Sequence, residues 1–265
     1  MNAPVQKLPI SAFVITKNER HSIDDCIASL SFVDEVVVVD DFSDDGTPER
    51  CADLGCRVIS NSFASFSAQK RFAMEATRNE WVLELDADER ISPALQQAIL
   101  ALNSKDFTCY DAFAFRRLTR FWGKWIRHSS LYPDYKVRLY HKGRGSWTTS
   151  RVHEHFQPRG AVRRISQDIL HCQDLDLKTY AQRTMRYAEL SAVDMHDRGR
   201  RPLWFDFLRP IHMLFLRYVI RLGFLDGVHG AAIAAMGGFG TFYKYFRLYE
   251  LENGQRCLVP ENHDR

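Results

Sequence analysis

The nine residues WVLELDADE, positions 81–89, carry an apolar, strand-like run straight into a cluster of acids. In a strand, residues i and i+2 share a side, so Asp86 and Asp88 are expected to face one point just beyond the strand end. Two adjacent carboxylates repel unless something positive lies between them. A hard divalent cation, Mg²⁺ or Mn²⁺, satisfies such a pair with oxygen ligands and keeps positions open for phosphate oxygens. The alternative is a solvated turn that caps the next helix, since D-x-D triplets are common in loops. What lies around the triplet decides between them.

Working outward, the first hundred residues alternate strand and helix patterns. Residues 10–16 form a β-branched apolar run followed by Lys17-Asn18-Glu19. Residues 22–30 have helical spacing, with Ile23, Cys26, Ile27 and Leu30 on one face and Ser22/Asp25 as a capping box. Four valines, 36–39, read as a strand covered on both faces and end in Asp40-Asp41. Residues 48–54 and 67–77 look helical, 57–60 look like a short strand, and Ser92-Pro93 begins a helix to about Leu102. This βαβαβαβ order predicts an α/β fold, with a Rossmann-like, open, mainly parallel sheet and helices on both faces. Such sheets bind ligands at the carboxyl ends of their strands. Here three strand ends carry polar or acidic groups: Lys17-Asn18-Glu19, Asp40-Asp41 and Asp86-x-Asp88.

The acids beginning at Asp40 partly mimic a calcium loop, but position twelve would be Ala52 where a bidentate Glu is required, so that reading fails. A strand-end carboxylate, Asp40 or Asp41, suits hydrogen bonds from a nucleoside. No glycine-rich G-x-G-x-x-G follows the first strand, which argues against a nicotinamide or flavin dinucleotide, and there is no P-loop.

The formal charge of +3 hides a split. Residues 1–108 carry a net −8, residues 109–265 a net +11, and the whole excess lies in 116–164, with 13 basic residues against Asp134 and Glu154. An acidic front and a basic middle suit a bound polyanion, with a metal ion between. The six cysteines are scattered without a C-x-x-C pair and read as reduced thiols of a cytosolic protein. The N-terminal apolar run reads as a strand, not a secretory leader.

From 110 to 156 the pattern turns to strand and loop, rich in aromatics and arginines, and a helical tail follows from about 178 to 252. Within the tail, residues 210–225 are apolar but punctuated by Arg217 and Arg221. Residues 227–243 contain five glycines and no Asp, Glu, Lys or Arg. Neither is a spanning helix, which needs about 20 strongly apolar residues. A helical hairpin on a membrane surface and a pair of helices packed on the catalytic domain both fit.

The motifs ITKNE, VVVVDDFSDDGT and ELDADE, in this order, resemble the family 2 glycosyltransferases with the GT-A fold. The later WGKWIRH, YPDYKVRLY, VHE, GFLDGVHG and FYKYFRLYE are similar to one branch, the WaaE-type lipopolysaccharide core β-glucosyltransferases. Phe42 departs from the usual pattern, standing where a small residue often sits. The resemblance implies a GT-A catalytic domain over 1–172, with a nucleotide-sugar half (1–108) and an acceptor half (109–172). A helical appendage at 173–265 would associate with the cytosolic face of a bacterial inner membrane.

It further implies that Thr16, Asn18 and Asp41 lie near the nucleoside of a nucleotide-sugar donor and Asp86 near the ribose or sugar. Asp88 would bind the metal, with Asp86 and a late histidine, His171, as candidate ligands. Lys70 and Arg71 would help to hold the donor; otherwise they line a solvated helix face. The reaction would be inverting transfer of a hexose, from UDP-glucose, to an inner-core lipopolysaccharide sugar or related phosphorylated glycolipid. The basic middle suits that anionic acceptor.

Such a transfer needs a general base for the acceptor hydroxyl. Between Asp111 and Asp168 only Glu154 and Asp134 qualify. Glu154, in the VHE motif, is preferred and Asp134 is the runner-up; one of them is expected to be a structural ion-pair partner. Trp122, Trp125, Trp147 and Tyr132 either stack on acceptor sugars or belong to the core. Two rivals are a sugar nucleotidyltransferase, which normally opens with a glycine-rich loop, and a nucleic-acid-binding module on the Arg/Trp-rich middle, which the −8 front disfavours.

Overall fold

A computed structural model describes residues 8–148, 155–172 and 176–254. It divides into two compact units. The first holds residues 8–125 and 131–172, and the second holds 126–130 and 176–254.

The first unit opens with β1 (Leu8–Thr16), α1 (Ile23–Ala28), β2 (Val33–Asp40), α2 (Thr47–Asp53), β3 (Arg57–Ser60), α3 (Phe66–Ala76) and β4 (Trp81–Asp86). Next come β5 (Glu89–Ile91), α4 (Pro93–Leu100), α5 (Ser104–Cys109), β6 (Ala112–Phe121), β7 (Lys124–Trp125) and β8 (Asp134–His141). The unit closes with β9 (Gly145–Trp147), β10 (Phe156–Pro158) and β11 (Val162–Cys172). The main sheet runs β3-β2-β1-β4-β8-β6-β11-β5, with β7 on β6. The first four strands are parallel, as the βαβ order requires. Beyond them the sheet is mixed: β8 enters antiparallel between β4 and β6, while β6 and β11 pair in parallel. The expectation of a mainly parallel sheet therefore holds for β1 to β4 and gives way beyond them, where β8 returns beside β6 without a crossover helix.

Both faces are covered. On one, Ile23, Cys26 and Ile27 of α1, Cys51 of α2, and Leu95 and Ile99 of α4 pack on Ala12, Val14, Val38, Leu83 and Leu85. On the other, Ala73 and Met74 of α3 pack on Phe13, Val37, Val39 and Val82, and Tyr140 stacks on Phe156 at 3.9 Å. The alternation of the four valines between these two faces is what a doubly covered strand needs. The α4 cap is as expected, with Ser92 accepting from Leu95 N at 3.2 Å. The α1 capping box is not made: Ser22 Oγ donates to the Glu19 side chain at 2.6 Å instead, so its oxygen is turned away from the helix.

The second unit contains α6 (Leu177–Asp197), α7 (Arg209–Phe215) and α8 (Val228–Glu252), with short helical turns at Trp204–Leu208, Leu216–Ile220 and Gly223–Asp226. The glycines of α8 serve close packing. A Cβ on Gly230 would lie 1.8 Å from the Gly223 carbonyl oxygen, so only glycine allows that approach. Among the described residues no helix is long and apolar enough to cross a membrane.

Candidate active site

Register brings the three polar strand ends to one edge. Thr16 pairs with Asp40, Asp40 with Ser60, and Ile15 with Asp86, so β1, β2, β3 and β4 finish together. The loops that follow β1 and β2 are laced to each other. Asn18 N donates to Ser43 Oγ at 2.8 Å, Asp44 N to Asn18 Oδ1 at 3.0 Å, and Glu19 N to Thr47 Oγ1 at 3.0 Å. Asn18 and Phe42 both take left-handed φ, 54° and 50°. Asn tolerates that region, whereas a bulky Phe is strained there, which is the backbone consequence of its standing in place of a small residue.

The geometry separates Asp40 from Asp41. Asp40 is fully buried and takes Ser43 N at 2.7 Å and Ser43 Oγ at 2.5 Å, so it clamps the turn. Asp41 remains partly exposed; one oxygen accepts from Phe63 N at 3.0 Å and the other lies 3.7 Å from Lys17 Nζ. Thr16 Oγ1 is buried with no hydrogen-bond partner among the described residues. Of the two strand-end acids, Asp41 is the one open to a ligand.

The acidic triplet is divided as well. Asp86 and Asp88 are partly exposed, while Ala87 and Glu89 between and after them are buried, as strand-like alternation requires. Asp86, however, already has its counter-charges. Lys70 Nζ reaches it at 2.8 Å and Arg138 Nη2 at 2.7 Å. The same two cations hold Glu84, Lys70 at 2.8 Å and Arg138 at a short contact, and Arg138 also holds Glu89 at 2.8 Å. Tyr140 OH completes the set by donating to Glu84 at 3.2 Å. Burial alone would raise the Asp86 carboxyl, but Arg138 and Lys70 outweigh it and hold it well below the usual carboxylate range. For Lys70, burial works against the charge, yet Asp86 and Glu84 win and raise its value. Glu89 goes the other way, raised chiefly by burial despite Arg138.

Lys70 is thus not on a solvated helix face; its side chain, 12% exposed, belongs to an ion network, whereas Arg71 is exposed. Sequence reading missed Glu84, Glu89 and Arg138. The available signal was period-two alternation: Val82, Glu84 and Asp86 share one side of β4, and Arg138 shares a side of β8 with Tyr140.

Asp88 faces a different partner. His171 Nε2 lies 3.2 Å from Asp88 Oδ2, and His171 Nδ1 lies 3.2 Å from Thr119 Oγ1. The backbone makes this meeting: β5 runs antiparallel to β11 with Glu89 opposite His171, β11 pairs in parallel with β6 with His171 opposite Thr119, and Cys172 N donates to the Asp88 carbonyl at 2.9 Å. No group of three His, Cys, Asp or Glu side chains suited to a metal occurs among the described residues. The Asp88–His171 pair offers one oxygen and one nitrogen, a donor set that fits a divalent cation whose other positions are filled by a ligand's phosphate oxygens.

Of the two candidate bases, Glu154 lies outside the described residues. Asp134 is opposite Arg117 in the β6–β8 register and forms ion pairs with Arg117 at 3.0 Å and Lys136 at 3.1 Å. Among the aromatics, Trp147 belongs to the core with Tyr140 and Phe156. Tyr132 donates to Asp168 at 2.9 Å beneath the Arg116 guanidinium, and Trp122 stacks on Phe121 at 4.4 Å.

The lipopolysaccharide core biosynthesis glycosyltransferase LpsC of Rhizobium meliloti (strain 1021) is 29% identical over 262 residues, covering 94% of this chain and 96% of that protein. An uncharacterized glycosyltransferase of Rickettsia typhi is 28% identical, covering 96% of this chain and 91% of its own. Among solved structures, the glucosyl-3-phosphoglycerate synthase of Mycobacterium tuberculosis, in complex with Mn²⁺, UDP and glucosyl-3-phosphoglycerate, aligns at 15% identity and a TM-score of 0.48, over 72% of this chain and 80% of that one. The model of glycosyl transferase family 2 matches residues 11–169, more than half of the chain, and the protein belongs to that family.

Proposed function

We propose that this protein is an inverting, divalent-cation-dependent hexosyltransferase. It moves a hexose from a nucleotide-diphosphate sugar, UDP-glucose first among candidates, to a hydroxyl of an inner-core lipopolysaccharide sugar or related phosphorylated glycolipid at a cytosolic membrane surface. The observation that carries the reading is the Asp88–His171 pair, set at the same strand-end edge as Asp41 and Asp86. The name of the Rhizobium relative supports the acceptor class. Family membership sets aside the nucleotidyltransferase and nucleic-acid-binding readings.

Thr16, Asn18 and Asp41 hold the nucleoside in this account, Asp41 through its exposed carboxylate. Asp88 and His171 hold Mg²⁺ or Mn²⁺, which when bound supplies Lewis-acid stabilisation of the departing diphosphate. Asp86, first read as a further ligand, is already neutralised by Lys70 and Arg138. Its role is to stay ionised in a fixed position and accept hydrogen bonds from the ribose or donor sugar. Lys70 acts on the donor through Asp86, orienting it. Glu154 takes the proton of the acceptor hydroxyl as its oxygen attacks the anomeric carbon; Asp134 is the weaker candidate, since two cations occupy its oxygens and lower its basicity.

The test is release of nucleoside diphosphate from a panel of sugar nucleotides with Mg²⁺ or Mn²⁺ and a soluble inner-core oligosaccharide. Acceptor-stimulated UDP release with a β-linked product supports the reading. If no donor in the panel is turned over, it fails.

A further inference from the structure

Among the described residues, the second unit carries a group of strongly exposed apolar side chains. Between Arg198 and Val228, Trp204 is 77% exposed, Ile211 70% and Val228 72%, and Leu208, Ile220 and Leu225 are each more than half exposed. Single exposed apolar side chains are ordinary, but this many large ones in one short stretch are a mark of a surface that meets a partner.

Charge says which partner. The same stretch has six arginines and two acids. Both acids are buried and used internally: Asp206 takes Leu203 N at 2.9 Å, Arg200 at 2.9 Å and Arg209 at 2.7 Å, while Asp226 takes His128 N at 2.9 Å and His128 Nδ1 at 3.2 Å. Of the arginines, Arg200 and Arg209 pair with Asp206, Arg198 pairs with Asp194 at 3.0 Å and Arg201 with Glu252 at 2.9 Å, which leaves Arg221 exposed and the stretch net positive even with Asp194 and Glu252 counted. A second copy meeting this face across a two-fold axis would set two net-positive faces together. No described helix can span a bilayer.

We propose that residues 203–228 form an in-plane docking face for an anionic phospholipid surface, with Trp204, Ile211 and Val228 entering the headgroup–acyl boundary and the exposed Arg221 meeting lipid phosphates. This deepens the membrane-surface reading above and rests on it. The chemistry is that of an interfacial anchor: apolar area supplies insertion and basic groups supply attraction to anionic headgroups. It also reassigns the tail: α8 is a packing helix whose glycines admit Gly223, Arg217 and Thr184, and the docking face is the irregular segment before it.

The full-length protein is sedimented with vesicles of phosphatidylcholine alone or mixed with phosphatidylglycerol. The wild type should pellet with the anionic vesicles, less with the neutral ones, and less again as salt rises. The triple variant Trp204→Ser/Ile211→Ser/Val228→Ser should lower the bound fraction about tenfold or more, with circular dichroism unchanged. Arg221→Glu, the second variant, should weaken binding to anionic vesicles only. Wild type left in the supernatant, or a dimer in light scattering that the triple variant abolishes, overturns the proposal. UDP release with a soluble acceptor is measured in parallel: if it is absent while vesicle binding persists, the catalytic reading has failed and the docking face stands.

Discussion

His171 is gripped from both sides: Thr119 Oγ1 lies 3.2 Å from Nδ1, and Asp88 Oδ2 lies 3.2 Å from Nε2. A ring fixed at one nitrogen presents the other in a set direction, which is how an outer partner orients a metal-binding histidine. His171→Ala is expected to lower Mn²⁺-supported kcat/KM by about 10–100-fold, with Thr119→Val giving a smaller loss of the same kind. A titration of activity against Mn²⁺ checks it: the half-saturating concentration should rise in both variants.

The ion network around Arg138 predicts a stability effect separate from catalysis. Arg138 is 5% exposed and serves Glu84, Asp86 and Glu89. Removing one partner of a buried pair strands charge and costs about 3–5 kcal/mol. Arg138→Met should therefore lower the urea midpoint sharply, and adding Glu84→Gln should recover part of the loss. An Arg138→Met protein as stable as the wild type would show that the network is not a fixed part of the fold.

The sign of the pH dependence follows from Asp86 and Glu89. Asp86 has a folded value below its unfolded one of about 3.9, so its contribution is complete above that pH and is lost as pH falls below it. Glu89 is raised, so its contribution is present in acid and is lost as pH rises through its folded value. Thermal melts from pH 6 downward, a range chosen to bracket about pH 4, should fall more gently for Asp86→Asn than for the wild type. Equal slopes would contradict the assignment.

The two candidate bases are separated by their surroundings. Asp134 is a cross-strand ion-pair partner of Arg117, so Asp134→Asn should keep turnover within about threefold and show mainly a loss of stability of about 1 kcal/mol. Glu154→Gln should lower kcat by about 10²-fold or more with donor binding intact. Single-turnover kinetics with UDP-glucose binding measured apart distinguishes them. The reverse pattern would move the base to Asp134.

Much of this was legible in the sequence because it is local. The valine run of β2, the Ser92-Pro93 start of α4 and the polar ends of β1, β2 and β4 each declare themselves within a few residues. The ion network did not, because Lys70, Glu84 and Arg138 come from α3, β4 and β8 and meet only when β8 is threaded antiparallel against β4. The i, i+2 rule that singled out Asp86 and Asp88 applies equally to Glu84 and Asp86, and it is that second pair which shares Lys70 and Arg138. Ser22 misled for a local reason: the Glu19 carboxylate competes for its hydroxyl.

The central claim is that the strand-end site needs a cation at Asp88 and His171 to hold its donor. Calorimetric titration of UDP-glucose, with Mn²⁺ and then with a chelator, tests it most directly. The account predicts that Mn²⁺ tightens binding by about tenfold or more in the wild type and that Asp88→Asn abolishes the difference while leaving the fold intact. Equal affinity in Mn²⁺ and in chelator for the wild type would contradict it.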